Sequence, residues 1–329
     1  MAHRVTGVRL RRLLFLAALA AAMVPAANAA AAPLRAGSDP GVRIAAVGDI
    51  ACKNAPANNP HVCRYDSVSN LIAAGAYRAF LPLGDNQYEA GSLADYLANY
   101  DVYFGRFLPI TYPVPGNHEY GTADAAGYFG YFGSIAYGPD GWYSYDLGSW
   151  HVIALNSAIC SPYTGAPCNA GTPEYDWLQA DLGAHPNALY PCTLAYWHHP
   201  VWDWEKYQNN HWVQSYDYDR AKPFWHLLFQ AGADVVLNGH NHNYQRYAPM
   251  NGSGGADRAH GIREFIVGTG GRNLDNLGSV STMPPTFVTG QATSFGALAL
   301  TLRPGSYSWS FKTADGSPAF TDTGTASCH

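Results

Sequence analysis

Five short apolar runs in this chain end in turns of one kind, and those turns constrain the fold more than any other feature. Val42 to Val47 leads into Gly48-Asp49, and Ala79 to Leu83 leads into Gly84-Asp85-Asn86-Gln87-Tyr88. Ile110 to Val114 leads into Gly116-Asn117-His118-Glu119, Thr193 to Trp197 into His198-His199-Pro200, and Ala233 to Leu237 into Gly239-His240-Asn241-His242. Runs of this length, closed by Gly, Pro and polar residues, read as buried β-strands. A glycine just past a strand lets the chain turn sharply and present the next side chain, and in α/β folds ligands collect outside the carboxyl ends of strands. Asp49, Asp85, Asn117, His198, His240 and His242 are therefore expected on one rim, where carboxylates, an amide and imidazoles form a donor set for metal ions. Singly, each turn has an ordinary reading, since Gly-Asp is commonly only a turn and Asn or His there commonly satisfies backbone groups. Their joint order is what points to a metal site.

Helical stretches fall between several of these strands: Ser92 to Phe104, a stretch from Thr172-Pro173-Glu174 to Leu182, and one around Phe224 to Gln230 that Gly232 would stop. A Thr cap followed by Pro is a helix start, and a glycine past the last turn is a helix stop. Strands alternating with helices predict an α/β domain around a buried, largely parallel sheet. Trp142 to Leu147, His151 to Asn156, Arg263 to Val267, Ala297 to Leu302 and Ser306 to Phe311 are strand-like with little helix between them. A mixed sheet or two sheets is therefore expected, not one doubly wound sheet.

Residues 1–29 have the order of a secretory signal peptide: Arg4, Arg9, Arg11 and Arg12, an apolar run from Leu13 to Val24, then Ala27-Asn28-Ala29 as an A-x-A cleavage site. The run is too short to span a bilayer, and Pro25 ends it before it could pack as a buried helix. Cleavage near Ala29 predicts a secreted protein whose residues 30–329 form a single domain, since no linker, repeat or composition break divides them. No second run is long enough to cross a membrane. The net charge is −5 and the 19 Lys and Arg residues are scattered, so the basic stripe that neutralises duplex phosphates is missing and no stable nucleic-acid partner is expected. Cys52, Cys63, Cys160, Cys168, Cys192 and Cys328 form no C-x-x-C pair, and an even number in an exported chain predicts disulfides. Cys52 with Cys63 and Cys160 with Cys168 would close short loops and leave Cys192 for Cys328, one of the fifteen connectivities open to six cysteines.

The motifs resemble those of the metallophosphoesterase superfamily, the calcineurin-like fold, whose D-x-H, G-D, G-N-H-D/E, H-H and G-H-x-H segments match here from Val42 to His242. The first motif departs from the pattern: Asp49-Ile50-Ala51 lacks the histidine, while Tyr88 stands three residues beyond Asp85. That exchange is similar to the purple acid phosphatases, in which tyrosine takes the missing ligand's place, although Ala51 stands where they usually have Gly. The resemblance implies an α/β protein with the metallophosphatase fold, an α+β-type four-layer αββα sandwich with two mixed β-sheets. It also implies that Asp49, Tyr88 and His242 hold one ion, that Asn117, His198 and His240 hold a second, and that Asp85 bridges them. The donor chemistry agrees with this independently. Carboxylate, phenolate and bridging carboxylate are hard and anionic and favour Fe(III), whereas two imidazoles, an amide and the shared carboxylate suit a divalent Zn, Mn or Fe ion. The extra N-terminal β-domain of the large plant members is not expected before Val42.

The function so implied is hydrolysis of small-molecule phosphate monoesters, with two ions that activate water for in-line attack on phosphorus and neutralise charge on its oxygens. His118 resembles the histidine that contacts phosphate or protonates the leaving group, and Glu119 is expected to orient its imidazole. His199 and His211 are further candidates for substrate contact. Trp202, Trp204 and Tyr207 follow His198 closely enough to wall the cleft, and Tyr244 and Arg246 follow His242 in the same way. A phosphodiesterase of the same superfamily is the nearest alternative, and a non-catalytic secreted binding protein retaining the fold is the alternative of another class. Tyr88 argues against the first, and the presence of all seven candidate ligands against the second. These motifs do not encode the oligomeric state.

Overall fold

The computed structural model describes residues 41–59, 62–160, 168–187, 189–206, 212–213, 218–277 and 283–329. In chain order its elements are β1 (Val42–Val47), α1 (Tyr65–Ala73), β2 (Ala79–Pro82), α2 (Leu93–Asp95), α3 (Asp101–Phe104), α4 (Ala126–Phe132), β3 (Tyr143–Leu147), β4 (Trp150–Ala154) and α5 (Pro173–Ala184). Then come β5 (Cys192–Tyr196), β6 (Glu205–Lys206), β7 (Trp212–Val213), α6 (Tyr218–Gln230), β8 (Val235–Asn238) and β9 (Tyr244–Tyr247). The last are β10 (Arg263–Val267), β11 (Phe287–Gln291), β12 (Gly296–Arg303), β13 (Ser306–Thr313) and β14 (Asp322–Ser327).

Two mixed sheets result. The first has the order β14-β13-β12-β1-β2, with β1 and β2 parallel and the other pairs antiparallel. The second has the order β11-β9-β10-β8-β5-β4-β3, with β10, β8, β5 and β4 parallel and β11, β9 and β3 antiparallel to their neighbours. Residue alternation shows why its central strands read as unbroken apolar runs. Val152, Ala154, Leu194, Tyr196, Val235, Leu237, Phe265 and Val267 join the core shared with the first sheet. Their neighbours Ile153, Ala195, Trp197, Val236 and Ile266 face Leu178 of α5 and Phe224, Trp225 and Leu228 of α6. Both faces are covered, as buried parallel strands require, and each fully buried Val, Leu, Ile or Phe contributes about 1.5–3 kcal/mol relative to exposure. With α1 packed on β12 and β13, the layers run helix, sheet, sheet, helix, which is the metallophosphatase fold.

Several local expectations change. The segment Ile110 to Val114 is not a strand: a 3-10 helix, Gly105–Ile110, precedes it, and only single bridges join Thr111 to Phe80 and Val114 to Leu83. Pro109 and Pro113 supply no N–H and fix φ, so a regular ladder cannot form, yet the segment still runs beside β2. The helix read from Ser92 to Phe104 begins as expected, with Ser92 Oγ accepting the Asp95 N–H at 3.1 Å, but passes through a π-helical turn at Tyr96–Tyr100. Thr172 precedes α5 without capping it, its hydroxyl donating instead to Asn169 O at 2.8 Å.

The cysteines pair as Cys52–Cys63, Cys160–Cys168 and Cys192–Cys328, with Cα atoms 6.2, 5.1 and 5.5 Å apart. The last joins β5 of the second sheet to the residue beyond β14 of the first. Among the described residues no helix is long and apolar enough to cross a membrane.

Candidate metal centre

Three ligand candidates occupy left-handed backbone positions, Asp49 at φ 61°, Asp85 at 47° and His240 at 71°. Such positions cost a non-glycine residue roughly 1–3 kcal/mol and are kept where the surroundings impose them. Each follows a glycine just past β1, β2 or β8, and the turn carries the side chain across the strand ends. Gly84 has a second reason to be glycine, because a Cβ there would lie 2.6 Å from His198 Nδ1.

The side chains converge in two overlapping groups. Tyr88 Oη lies 2.8 Å from Asp49 Oδ1, 3.2 Å from Asp85 Oδ2 and 2.9 Å from His242 Nε2, and His242 Nε2 lies 3.3 Å from Asp49 Oδ1. His198 Nε2 lies 3.2 Å from Asp85 Oδ2, 3.2 Å from Asn117 Oδ1 and 3.3 Å from His240 Nδ1. Asp85 Oδ2 is common to both groups. Adjacent donors around an octahedral ion with bonds of about 2.1 Å lie roughly 3 Å apart, so both groups have the spacing of a coordination shell.

A second layer of contacts aims these atoms. His198 Nδ1 donates to Leu83 O at 2.8 Å and His242 Nδ1 to Asn273 O at 2.7 Å, which leaves each Nε2 lone pair pointing at the carboxylates. Asp49 Oδ2 accepts the His240 N–H and Asp85 Oδ1 the His118 N–H, both at 2.8 Å. Lone pairs set against carboxylate oxygens are stable only with a proton or a metal cation between them. Without a metal the proton fills that role: burial opposes it, yet Asp85 by charge and hydrogen bond lifts His198 to about 9, and Asp49 does the same for His242. Burial likewise opposes ionisation of Asp85, but His198 and His118 hold its carboxyl well below the usual range. Burial, then the charges of Asp49 and Asp85, push the Tyr88 phenol well above its ordinary value. This donor set fits a pair of metal ions.

The family model for calcineurin-like phosphoesterases matches residues 42–244. The chain belongs to the calcineurin-like phosphoesterase family. Among curated proteins it is similar to purple acid phosphatase 22 of Arabidopsis thaliana, 31% identical over 144 residues that make up 44% of this chain and 30% of that protein. It is also similar to acid phosphatase A of Cryphonectria parasitica, 26% identical over 197 residues, 55% of this chain and 37% of that one. The chain thus spans less than half the length of the curated relatives it matches. A purple acid phosphatase from yellow lupin (Lupinus luteus) seeds superposes with a TM-score of 0.66 at 18% identity, covering 87% of this chain and 53% of that one, a likeness of fold.

In this phosphoesterase the remaining candidates divide. His118 is 31% exposed and donates Nδ1–H to Glu89 O, with Nε2 3.8 Å from Asp85 Oδ2. Glu119 does not touch the His118 ring. Fully buried, it accepts the Asp85 and Gly116 N–H groups on Oε2 (2.9 and 2.6 Å) and the Asn86 and Gln87 N–H groups and the Tyr96 hydroxyl on Oε1 (2.9, 3.2 and 2.9 Å). Burial, then the charge of Asp85, lifts its carboxyl to about 7 against those donors. His199 is 1% exposed, with Nδ1 on Ser157 Oγ at 2.9 Å and its ring 4.6 Å from that of His240. It packs behind a ligand candidate, and burial, then the neighbouring imidazoles, lower its basicity well below the ordinary histidine value. His211 and Tyr207 lie outside the described residues. Tyr244 and Arg246 do not face substrate, because both bond Asp322 and so fasten β9 of the second sheet to β14 of the first. Trp202 and Trp204 line a cavity of about 170 Å3 with Asp203 and Tyr247, and none of the seven ligand candidates lines it.

The run Gly268-Thr269-Gly270-Gly271-Arg272-Asn273 after β10 escaped the sequence reading. It carries the same signal, a strand running into glycines, but the glycines are followed first by Arg272 and not directly by a carboxylate or an imidazole. Its main chain serves the site: Asn273 O receives His242, and the Arg272 N–H donates to Asp49 O at 3.0 Å.

Proposed function

We propose that this phosphoesterase is an exported phosphomonoesterase of the purple acid phosphatase type, acting on small-molecule phosphate esters with a dinuclear metal centre. The observation that carries the reading is Tyr88, whose oxygen lies within 3.2 Å of both carboxylates and of His242. A phenol so buried and so close to two carboxylates ionises only beside a strongly polarising cation, which suits Fe(III). Asp49, Tyr88 and His242 would hold that ion, Asn117, His198 and His240 a divalent Zn, Mn or Fe ion, and Asp85 would be shared. Bound there, the two ions would supply activated water and charge neutralisation at phosphorus.

The chain's own residues do the rest. His118, tethered through Nδ1 to Glu89 O, presents Nε2 to the phosphate and, when protonated, gives its proton to the leaving oxygen. Glu119 keeps the bridging Asp85 and the Asn117 turn at a fixed separation while charge moves between them. The pairing of all six cysteines supports export after removal of residues 1–29, with residues 30–329 working as one domain.

The test is a visible spectrum with metal analysis, run beside hydrolysis of p-nitrophenyl phosphate and of bis(p-nitrophenyl) phosphate, for the wild type and for Tyr88→Phe. A broad visible band that the substitution abolishes, with the monoester as the better substrate, is the expected result. A colourless wild-type protein that holds two divalent ions and prefers the diester would replace this reading with that of a phosphodiesterase.

A further inference from the structure

Arg272 lies against the ring of the proposed phenolate ligand, with its guanidinium carbon 4.9 Å from the centroid of Tyr88. A guanidinium at this range is attracted to an aromatic ring, and more strongly to one carrying negative charge. Arg272 is held there at both ends. Its Nη2 pairs with Glu89 Oε1 at 2.9 Å, and its backbone N–H donates to Asp49 O at 3.0 Å. One residue thus reaches two proposed ligands of the same ion, Asp49 through the main chain and Tyr88 through the side chain, while the residue after Tyr88 supplies the counter-charge.

The fold is built to allow this approach. Gly270 donates its N–H to Gly48 O at 2.9 Å, next to Asp49. Gly271 has φ of 151°, and a Cβ on it would lie 2.5 Å from Tyr65 Cβ, so only glycine lets the segment cross beneath α1. The His118 ring lies 4.3 Å from the Tyr88 ring as well, so two basic side chains touch it. The Tyr88 side chain is buried and that of Arg272 is 25% exposed, which makes the guanidinium a cover for the ring as well as a charge.

We infer that Arg272 is a positioning residue for Tyr88 that fixes the ring and, by its charge, sets how strongly the phenolate donates to the metal. The inference rests on the reading of Tyr88 as a phenolate ligand of Fe(III). A positive charge beside the ring stabilises electron density on the phenolate and raises the energy of phenolate-to-iron charge transfer. Removing the charge moves the visible band to longer wavelength. Lysine keeps the charge as a compact, mobile point without the planar group, so it preserves the band position in part.

The experiment compares the visible maximum and the iron content of the full-length wild type, Arg272→Gln and Arg272→Lys. The expected result is a band at longer wavelength in Arg272→Gln at unchanged iron content, with Arg272→Lys shifted less. An iron-loaded Arg272→Gln protein whose band stays in place overturns the inference, and so does an equal shift in Arg272→Lys, which would trace the effect to packing. A colourless wild type would instead defeat the parent reading. If Arg272→Gln does not fold, Arg272→Met, which retains the aliphatic stem, is read against the same outcomes.

Discussion

Glu119 holds Asp85 by its main chain: Oε2 of the buried carboxylate accepts the Asp85 N–H at 2.9 Å. The same oxygen accepts the Gly116 N–H, so one atom spaces the turn after β2 from the turn that carries Asn117.

Glu119→Gln is predicted to disrupt that spacing. An amide keeps one acceptor oxygen and turns an NH2 group against backbone N–H donors. Leaving such groups unpaired costs about 1–3 kcal/mol. Urea denaturation should show a loss of that size, and metal analysis a fall at both sites. An unchanged midpoint with full metal content would leave Glu119 no positioning role.

Asp85→Asn removes the negative charge common to both groups while preserving an acceptor for the His118 N–H. Loss of an outer partner of a metal ligand already costs 10–100-fold in affinity or activity, so turnover should fall more than about a hundredfold, with metal lost from both sites. Near-normal turnover with two metals bound would defeat the shared role of Asp85.

His118→Ala leaves all seven proposed donors in place, so metals should stay bound. A positioned general acid contributes about 10²–10⁴-fold, and that loss should appear for alkyl phosphates with poor leaving groups and shrink for aryl phosphates. Equal losses across a leaving-group series would make His118 a phosphate contact alone.

Asp322→Ala breaks the bond between the sheets made by Arg246 and Tyr244. The pair is largely buried, with side-chain exposures of 11% and 7%. Removing one partner of a buried pair costs about 3–5 kcal/mol, and denaturation should show it while the visible band, set by donors that Asp322 does not contact, stays in place.

A separate cluster gives a pH signature. His151 Nε2 lies 2.8 Å from Asp181 Oδ2, and the ring stacks on His185 at 3.9 Å. Burial opposes charge on both partners, yet Asp181 and Asp146 raise His151 above 6.5 and His151 and Ser144 lower Asp181 below 3.8. The His151 contribution is therefore complete below pH 6.5 and lost as pH rises through its raised value. That of Asp181 is complete above pH 3.8 and lost as pH falls through its lowered value. The stability difference between wild type and His151→Gln should peak between those limits, and a difference flat across pH 3 to 9 would contradict the pairing.

How legible this was depended on whether a feature is local. β1, β5, β8 and β10 were readable because sheets covered on both faces demand apolar runs, and the ligand candidates because glycine, or for His198 a following Pro200, marks the turns that carry them. β14 was not, since Asp322–Ser327 is small and polar and becomes a strand only by pairing with β13. β9 was hidden by its shortness and by its position directly after His242. Glu119 was read as serving His118 because the two are adjacent in sequence. Its actual partners are backbone groups of the turn after β2, the Gly116 N–H of its own turn and the Tyr96 hydroxyl, which no single-residue pattern encodes. Arg272 belongs to the same class, a cross-chain contact between segments far apart in sequence.

The seven proposed donors do not come from one sheet. Asp49, Asp85 and Tyr88 follow β1 and β2 of the first, whereas His198, His240 and His242 follow β5 and β8 of the second. The ions would therefore act as a clasp across the mouth of the sandwich, with the Cys192–Cys328 bond, at the opposite strand ends, serving as its hinge. A chelator would unfasten the mouth and leave the hinge shut. Amides at the carboxyl ends of β1 and β8 would then exchange with solvent well before those of β13, so metal depletion would begin as a gape at one edge and not as general unfolding.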